Sequence, residues 1–331
     1  MYAKTGNGQL TPWQNNENLN NPALYLPSDG IVDAVNVALT LGQPLLLTGE
    51  PGTGKTQLAY HLAHFFGLGK PLRFNAQTSS TATDLFYTYD ALGHFQYNQN
   101  NSNVLTNEAL EEKFIHYNAL GKAIISEGRK VVLIDEIDKA PRDLPNNVLA
   151  AIEDLQFTVP QINKTYQAKT ENRPIILITS NSEKNLPDAF LRRVVYYHID
   201  FPNTEILLHI LALKSVDVAT LKGKTNTEIE TIKNKQAEIL KPLVAHFENI
   251  RNGLKLKKNP ATAELIFWMQ FLKQSNFDFE KLANISGLST ADRTTLLTSY
   301  SVLAKNSDDL EMLKSNLSGS SSSKRVSRRR K

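Results

Sequence analysis

Cysteine is absent from the 331 residues, which excludes disulfides, cysteine-ligated zinc or iron–sulfur centres, and a cysteine nucleophile. A reducing compartment is compatible with that composition. Long apolar runs are missing too. No segment approaches the roughly 18 consecutive apolar residues that a spanning helix requires. The start, Met1-Tyr2-Ala3-Lys4 and then polar Asn and Gln, lacks an apolar stretch leading to a small-residue cleavage site. The expectation is a cytoplasmic protein. Charge of one sign is also scarce once its position is considered. Lys plus Arg number 37 against 33 Asp plus Glu, a net charge of +4, and the pI near 9.0 points toward nucleic acid. Six of those basic residues lie within positions 324–331, so residues 1–323 hold 31 basic against 33 acidic side chains, a net charge of −2. The body is slightly acidic and does not favour nucleic acid as a partner, because binding to a phosphate backbone draws on Lys and Arg.

What is present is a chain, 41% hydrophobic, able to bury one sizeable core or two. Residues 1–22 are rich in Asn, Gln and Gly and read as a flexible segment. Over residues 23–202 short apolar runs alternate with helical patterns, the signature of an α/β domain with a parallel sheet. The expected strands are Pro44 to Thr48, Leu72 to Asn75, Val131 to Asp135, Ile175 to Thr179 and Val194 to Ile199. Strand signals stop after Pro202. Amphipathic patterns at Glu205 to Leu213, Ile229 to Ile250, Ala261 to Leu272 and Ala291 to Leu313 make residues 203–316 a helical domain, with Asn259-Pro260 read as a helix start. Residues 317–331 form a Ser-rich basic tail, read as disordered. Gln96 to Asn103 is read as a polar loop.

Directly after the first strand comes Gly49-Glu50-Pro51-Gly52-Thr53-Gly54-Lys55-Thr56, then Gln57 at the start of a helical stretch. Every fixed position of the phosphate-loop pattern is filled. Glycines let the backbone N–H groups turn inward, and the following helix N-terminus adds positive potential for phosphate oxygens. Lys55 is expected on the β and γ phosphates and Thr56 on Mg²⁺.

The strand Val131-Val132-Leu133-Ile134 ends in Asp135-Glu136. Carboxylates at the carboxyl end of a buried strand arrive beside the phosphate loop, so Asp135 is expected to hold Mg²⁺ through water and Glu136 to polarise the attacking water. Asp138 and Lys139 are read as surface or capping residues. The strand at 175–179 ends in Ser180-Asn181, where the Asn181 amide would orient the water or sense the γ-phosphate, or simply form a turn. Arg192 and Arg193 are either solvated or, if supplied to a neighbouring subunit, able to stabilise charge on the transferring phosphoryl group.

These motifs, in this order, resemble the AAA+ superfamily. Asp84-Leu85-Phe86-Tyr87, Tyr89-Asp90-Ala91-Leu92-Gly93, Leu133 to Lys139, Thr179-Ser180-Asn181 and Phe190-Leu191-Arg192-Arg193 look like its MoxR branch, and the likeness extends over residues 24 to 275. The resemblance implies a phosphate-loop α/β core with a helical lid, assembled as a ring, usually hexameric, with ATP and Mg²⁺ at subunit boundaries. It makes Asn181 the first sensor and Arg192 or Arg193 the trans-acting finger, and it places Tyr25 to Asp33 near the base. It further implies a hairpin-bearing insertion at Asp84 to Leu105 and a second hairpin at Phe157 to Ala168. Both would face a pore, where Tyr87, Phe95 or Tyr166 would touch a partner or else pack within its own hairpin. One departure stands out: the arginine that relatives often carry at the start of the lid helix is missing from Asn259 to Glu264, and Lys257 and Lys258 read as solvated. The function expected is an ATPase that remodels a protein partner, of the von Willebrand factor A class by resemblance. A nucleic-acid motor or loader and a nucleotide-gated binding module with little turnover are the alternatives.

Overall fold

The computed structural model describes residues 21–101, 105–182, 186–216, 220 and 223–317. Nearly all of the expected flexible N-terminal segment and basic tail lies outside them. The chain divides into an α/β unit, Tyr25–Asn203 with Lys258–Leu265, and a helical unit that includes Thr204–Lys257 and 266–317.

The α/β unit runs α1 (Asp29–Leu41), β1 (Leu45–Gly49), α2 (Lys55–Phe65), β2 (Leu72–Asn75), β3 (Tyr87–Tyr89), α3 (Ala91–Asn100), α4 (Asn107–Phe114), β4 (Ile115–Tyr117), α5 (Ala119–Ile125), β5 (Val131–Asp135), α6 (Leu144–Asp154), β6 (Gln156–Val159), β7 (Lys164–Gln167), β8 (Ile175–Thr179), α7 (Asp188–Leu191) and β9 (Val195–Ile199). Five strands form one parallel sheet in the order β2-β5-β8-β1-β9. These are the five expected strands, with one-residue shifts at β1 and β9. Side chains alternate between faces with period two. Leu46, Val132, Ile134, Ile176 and Ile178 bury into one core with α5 and α6, while Leu45, Leu47, Val131, Leu133 and Leu177 bury into another with α1 and α2. Each such side chain contributes about 1.5–3 kcal/mol when fully buried, which is why these strands read as continuous apolar runs.

Connections leaving β1 turn back past β5 and β8 to the far edge at β2, so the strand order reverses beside β1. The carboxyl end of the sheet at such a switch point is where an open α/β sheet binds ligands.

Two insertions decorate this core. The second expected hairpin is present: β6 pairs antiparallel with β7, Phe157 opposite Tyr166. The first differs from expectation. β3 pairs not within residues 84–105 but with β4, Tyr87 opposite Tyr117, and helices α3 and α4 fill the gap between them. Of the expected polar loop Gln96 to Asn103, residues 96–100 belong to α3, and 102–103 lie outside the described residues. The Gly, His, aromatic and Asn residues of α3 are weak helix formers, but Asp90 caps the N-terminus by accepting from the Gly93 N–H at 2.8 Å. Packing of Tyr97 and His94 on Phe114, with Lys113 4.5 Å over the Tyr97 ring, secures the rest. Glu111 ties the two insertions together, accepting from the Tyr117 hydroxyl at 2.7 Å, from Lys164 at 3.0 Å and from the Tyr166 hydroxyl. Burial pushes the Glu111 carboxyl up, but those hydrogen bonds outweigh it and hold it below its ordinary range. Tyr87 and Tyr166 therefore pack within the insertions, whereas Phe95 is exposed.

In the helical unit, the helix Asn226–Gly253 opens with a capping box between Thr225 and Glu228. The expected single stretch from Ala291 to Leu313 is two helices, Thr290–Leu303 and Ser307–Leu317, the first ended at Ala304 by extended backbone. Trp268, Phe247 and Tyr300 are its largest fully buried side chains. Among the described residues, no helix is long and apolar enough to cross a membrane.

Candidate nucleotide site

The phosphate loop joins β1 to α2 through three glycines in the left-handed half of backbone space, Gly49 (φ 142), Gly52 (φ 81) and Gly54 (φ 93). At Gly49 a Cβ would stand 2.5 Å from the Ile199 carbonyl oxygen on β9, so any side chain would force the loop off the sheet. At Gly52 the neighbours are the Ala261 and Ala263 methyls, 3.1 and 3.3 Å from where a Cβ would sit. The tip of the loop thus lies against residues 261–263, where the side chains are small. The helix there begins at Thr262, two residues later than Asn259-Pro260 suggested, because the Glu264 carboxylate takes the Ala261 N–H at 3.0 Å and draws Ala261 into the cap. Lys257 is held by Asp308 within the helical unit. Tyr25, in the segment expected near the base, lies against Gly54 and packs on His61 with ring centroids 5.3 Å apart.

Glu50 and Pro51 form the exposed outer rim, and the Thr53 hydroxyl closes the turn by donating to the Glu50 carbonyl at 2.9 Å. Lys55 is buried, and its ammonium donates to the Gly49 and Glu50 carbonyls at 2.7 and 2.9 Å. Burial pulls its pKa below the ordinary lysine value, opposed by the nearby carboxylates of Asp138, Asp135, Glu136 and Glu50. Gln57, half-buried, sits on the first turn of α2.

Asp135 is the centre of the site. It is buried at the end of β5, and it shares a sheet face with Leu133 and α2 because it lies two residues beyond Leu133. The Thr56 hydroxyl donates to its two carboxylate oxygens at 3.2 and 3.3 Å, the Thr179 hydroxyl to Oδ1, and Arg73 Nη2 to Oδ2 at 2.6 Å. A hydroxyl and a carboxylate this close are hard oxygen donors that suit Mg²⁺. Among the described residues no three His, Cys, Asp or Glu side chains form a metal cage of their own, so a cation here would complete its shell with water and phosphate oxygens, as Mg²⁺ does.

Glu136 follows with φ 57, a left-handed conformation that costs a non-glycine residue roughly 1–2 kcal/mol. Its N–H is held by the Thr179 hydroxyl at 2.9 Å, and its exposed carboxylate pairs with Lys139 at 2.6 Å. The kink carries its side chain off the strand direction at the carboxyl edge. Asn181, beyond β8, donates its N–H to Asp138 Oδ1 at 3.2 Å, while its side-chain amide has no partner among the described residues. Asp138 is therefore not the surface or capping residue expected: it ties the end of β5 to the end of β8. Arg192 and Arg193 follow α7 and are exposed. Arg193 reaches toward Glu153 at 3.8 Å.

Residues 44–194 match the family model described as AAA domain (dynein-related subfamily). The likeness covers the segment of the α/β unit that holds the candidate site. The match contains the phosphate loop, Asp135, Glu136, Asn181 and the arginine pair. A solved structure of a candidate ATPase from Cytophaga hutchinsonii ATCC 33406 is similar over 90% of this chain and 84% of its own, at 15% identity and a TM-score of 0.39.

Three residues of this site escaped the sequence reading: Arg73, Thr179 and Asp138. Arg73 left a trace, since polar residues at 73 and 75 alternate with apolar 72 and 74, which marks one face of β2 as polar. Thr179 is indistinguishable from an ordinary strand residue until the strand ends are aligned.

Proposed function

We propose that the chain hydrolyses ATP with Mg²⁺ at the subunit boundaries of a homo-oligomeric ring, hexameric by resemblance to the MoxR branch. The ring would remodel a protein partner, of the von Willebrand factor A class, in the cytoplasm. The observation that carries the chemistry is the convergence of Lys55, Thr56 and Asp135 with Glu136 and Asn181 at one end of one sheet.

Each residue has a task that its surroundings support. The loop N–H groups and the start of α2 bind phosphate oxygens, and Lys55 exchanges two carbonyl partners for the β and γ phosphates. Thr56 and Asp135 would hold Mg²⁺, which when bound neutralises charge growing on the phosphates. Glu136 accepts a proton from water or orients it. Its pair with Lys139 is exposed to solvent, which screens it, and it opens readily. The free amide of Asn181 is available to the same water. Of the two arginines, Arg192 has no side-chain partner among the described residues, which favours it over Arg193 as the group offered to a neighbouring subunit.

Phosphate release, nucleotide binding and mass in solution test this together. Glu136→Gln should keep ATP binding and lower turnover about 100-fold or more, in the range of a lost general base. Arg192→Ala should lose about as much, Arg193→Ala far less. The ATP-loaded Glu136→Gln protein should run as a ring and retain a protein partner. Unchanged hydrolysis in Glu136→Gln removes that residue from its role. A monomer with ATP dismisses the ring, and retention of nucleic acid alone would favour a loader.

A further inference from the structure

We propose that Arg73 is a built-in counter-cation for Asp135 that Mg²⁺ must displace, so that this residue of β2 sets how much Mg²⁺ the site requires. The inference rests on the nucleotide reading above and concerns the regulation of that site.

The pairing of strands creates the contact. In the β2–β5 register Arg73 stands opposite Leu133 and Asn75 opposite Asp135. Arg73 therefore points to the face that Leu133 and Asp135 share, toward the start of α2. Its Nη2 donates to Asp135 Oδ2 at 2.6 Å. The other two donors to Asp135, Thr56 and Thr179, are neutral hydroxyls. They remain compatible with a bound cation, because a hydroxyl whose hydrogen points at Asp135 leaves its lone pairs facing outward. Arg73 is different. It carries a charge that it cannot lose, it occupies a lone pair of Oδ2, and it repels an approaching divalent ion.

The arrangement has a use before nucleotide arrives. A carboxylate as buried as Asp135 is costly without a positive partner, and Arg73 supplies one. The two side chains differ in freedom: that of Asp135 is 5% exposed and that of Arg73 42% exposed. Asp135 stays where the sheet puts it, while the guanidinium can swing into water when Mg²⁺ takes its place. Arg73 is thus a positioning residue that holds Asp135 ready and exacts a higher Mg²⁺ concentration in return.

The experiment uses the full chain, ATPγS and MgCl₂. Calorimetric titration of MgCl₂ into the protein–ATPγS complex gives the Mg²⁺ midpoint, and thermal unfolding is followed in EDTA and with Mg·ATPγS. Arg73→Gln should lower the Mg²⁺ midpoint about tenfold, the scale of one charged hydrogen bond, and Arg73→Lys should stay within about twofold of wild type. Thermal stability should fall more in EDTA than with Mg·ATPγS. A structure of the wild-type Mg·ATPγS complex asks the same question without a variant: the guanidinium should have left Asp135. Binding with an unchanged midpoint in Arg73→Gln, equal thermal losses in both states, or a guanidinium still hydrogen-bonded to Asp135 overturns the inference alone. Failure of the wild type to bind ATPγS at any Mg²⁺ concentration overturns the nucleotide reading and takes this inference with it.

Discussion

Both units of the molecule bury polar groups, and they do so in opposite ways. In the helical unit His246, Trp268, Ser299 and Tyr300 form a closed set. His246 shares a hydrogen bond of 2.9 Å with the Tyr300 hydroxyl, Trp268 Nε1 donates to Ser299 Oγ at 2.7 Å, and Ser299 donates onward to the Leu296 carbonyl at 2.7 Å. All four are neutral and buried, and His246 stacks on both Trp268 and Tyr300. In the α/β unit Lys55, Asp135 and Thr179 are just as buried, but two of them carry charge, and they stand at a strand end beside a kinked Glu136 and an Asn181 amide without a partner among the described residues. Burial of polar groups alone does not mark a site. What separates the two regions is whether their hydrogen bonds close on one another or leave charged groups and free donors at an edge that a ligand can reach.

If that contrast is sound, damage to the helical set should cost stability and leave the nucleotide chemistry alone. The largest effect expected is for Trp268→Ala, which removes a fully buried indole and the hydrogen bond that Ser299 accepts: about 3–5 kcal/mol of stability, with ATPγS affinity per folded molecule unchanged. Thermal unfolding with and without nucleotide checks it, and a loss of affinity in the folded fraction would break the comparison. His246 offers a smaller test. Burial depresses its pKa to about 4, from 6.5. Between those values the unfolded chain binds a proton that the folded chain refuses, so stability is full above pH 6.5 and is lost as pH falls toward 4. The loss is up to about 3 kcal/mol. The difference in unfolding midpoint between wild type and His246→Phe should therefore change across this window, and a difference constant from pH 7 to pH 4 would refute the neutral, closed core.

The sheet was legible because apolar runs buried on both faces leave little doubt about β1, β5 and β8, and the phosphate loop because glycine is required where a Cβ would strike Ile199. The insertions were less so. α3 draws its helix from an Asp90 cap and from rings on α4, a tertiary arrangement that its Asn- and Gln-rich sequence does not advertise. The groups that the motifs name, Lys55, Thr56, Asp135 and Glu136, could be read one by one. Their partners could not, since Arg73 and Thr179 reach Asp135 only through the lateral pairing of β2, β5 and β8, and strand order is invisible in a single chain of letters. Pro260 misled for a local reason: Glu264 moves the cap to Ala261.

The smallest effect expected is also the one that tests the open edge most closely. Asp138 accepts the Asn181 N–H and adds negative potential near Lys55. If it acts by positioning Asn181, Asp138→Ala should lower turnover several-fold, on the scale of one hydrogen bond of about 1 kcal/mol, while ATPγS affinity and thermal midpoint stay close to wild type. Asp138→Asn retains an acceptor oxygen without the charge and should recover most of the rate. Steady-state phosphate release over a range of ATP concentrations separates the two contributions: lost geometry lowers kcat, whereas lost potential at Lys55 raises or lowers KM. An Asp138→Asn protein as slow as Asp138→Ala, with KM altered, would show that the charge matters more than the tether. Asp138 would then belong with the carboxylates that keep Lys55 charged rather than with the frame that holds Asn181.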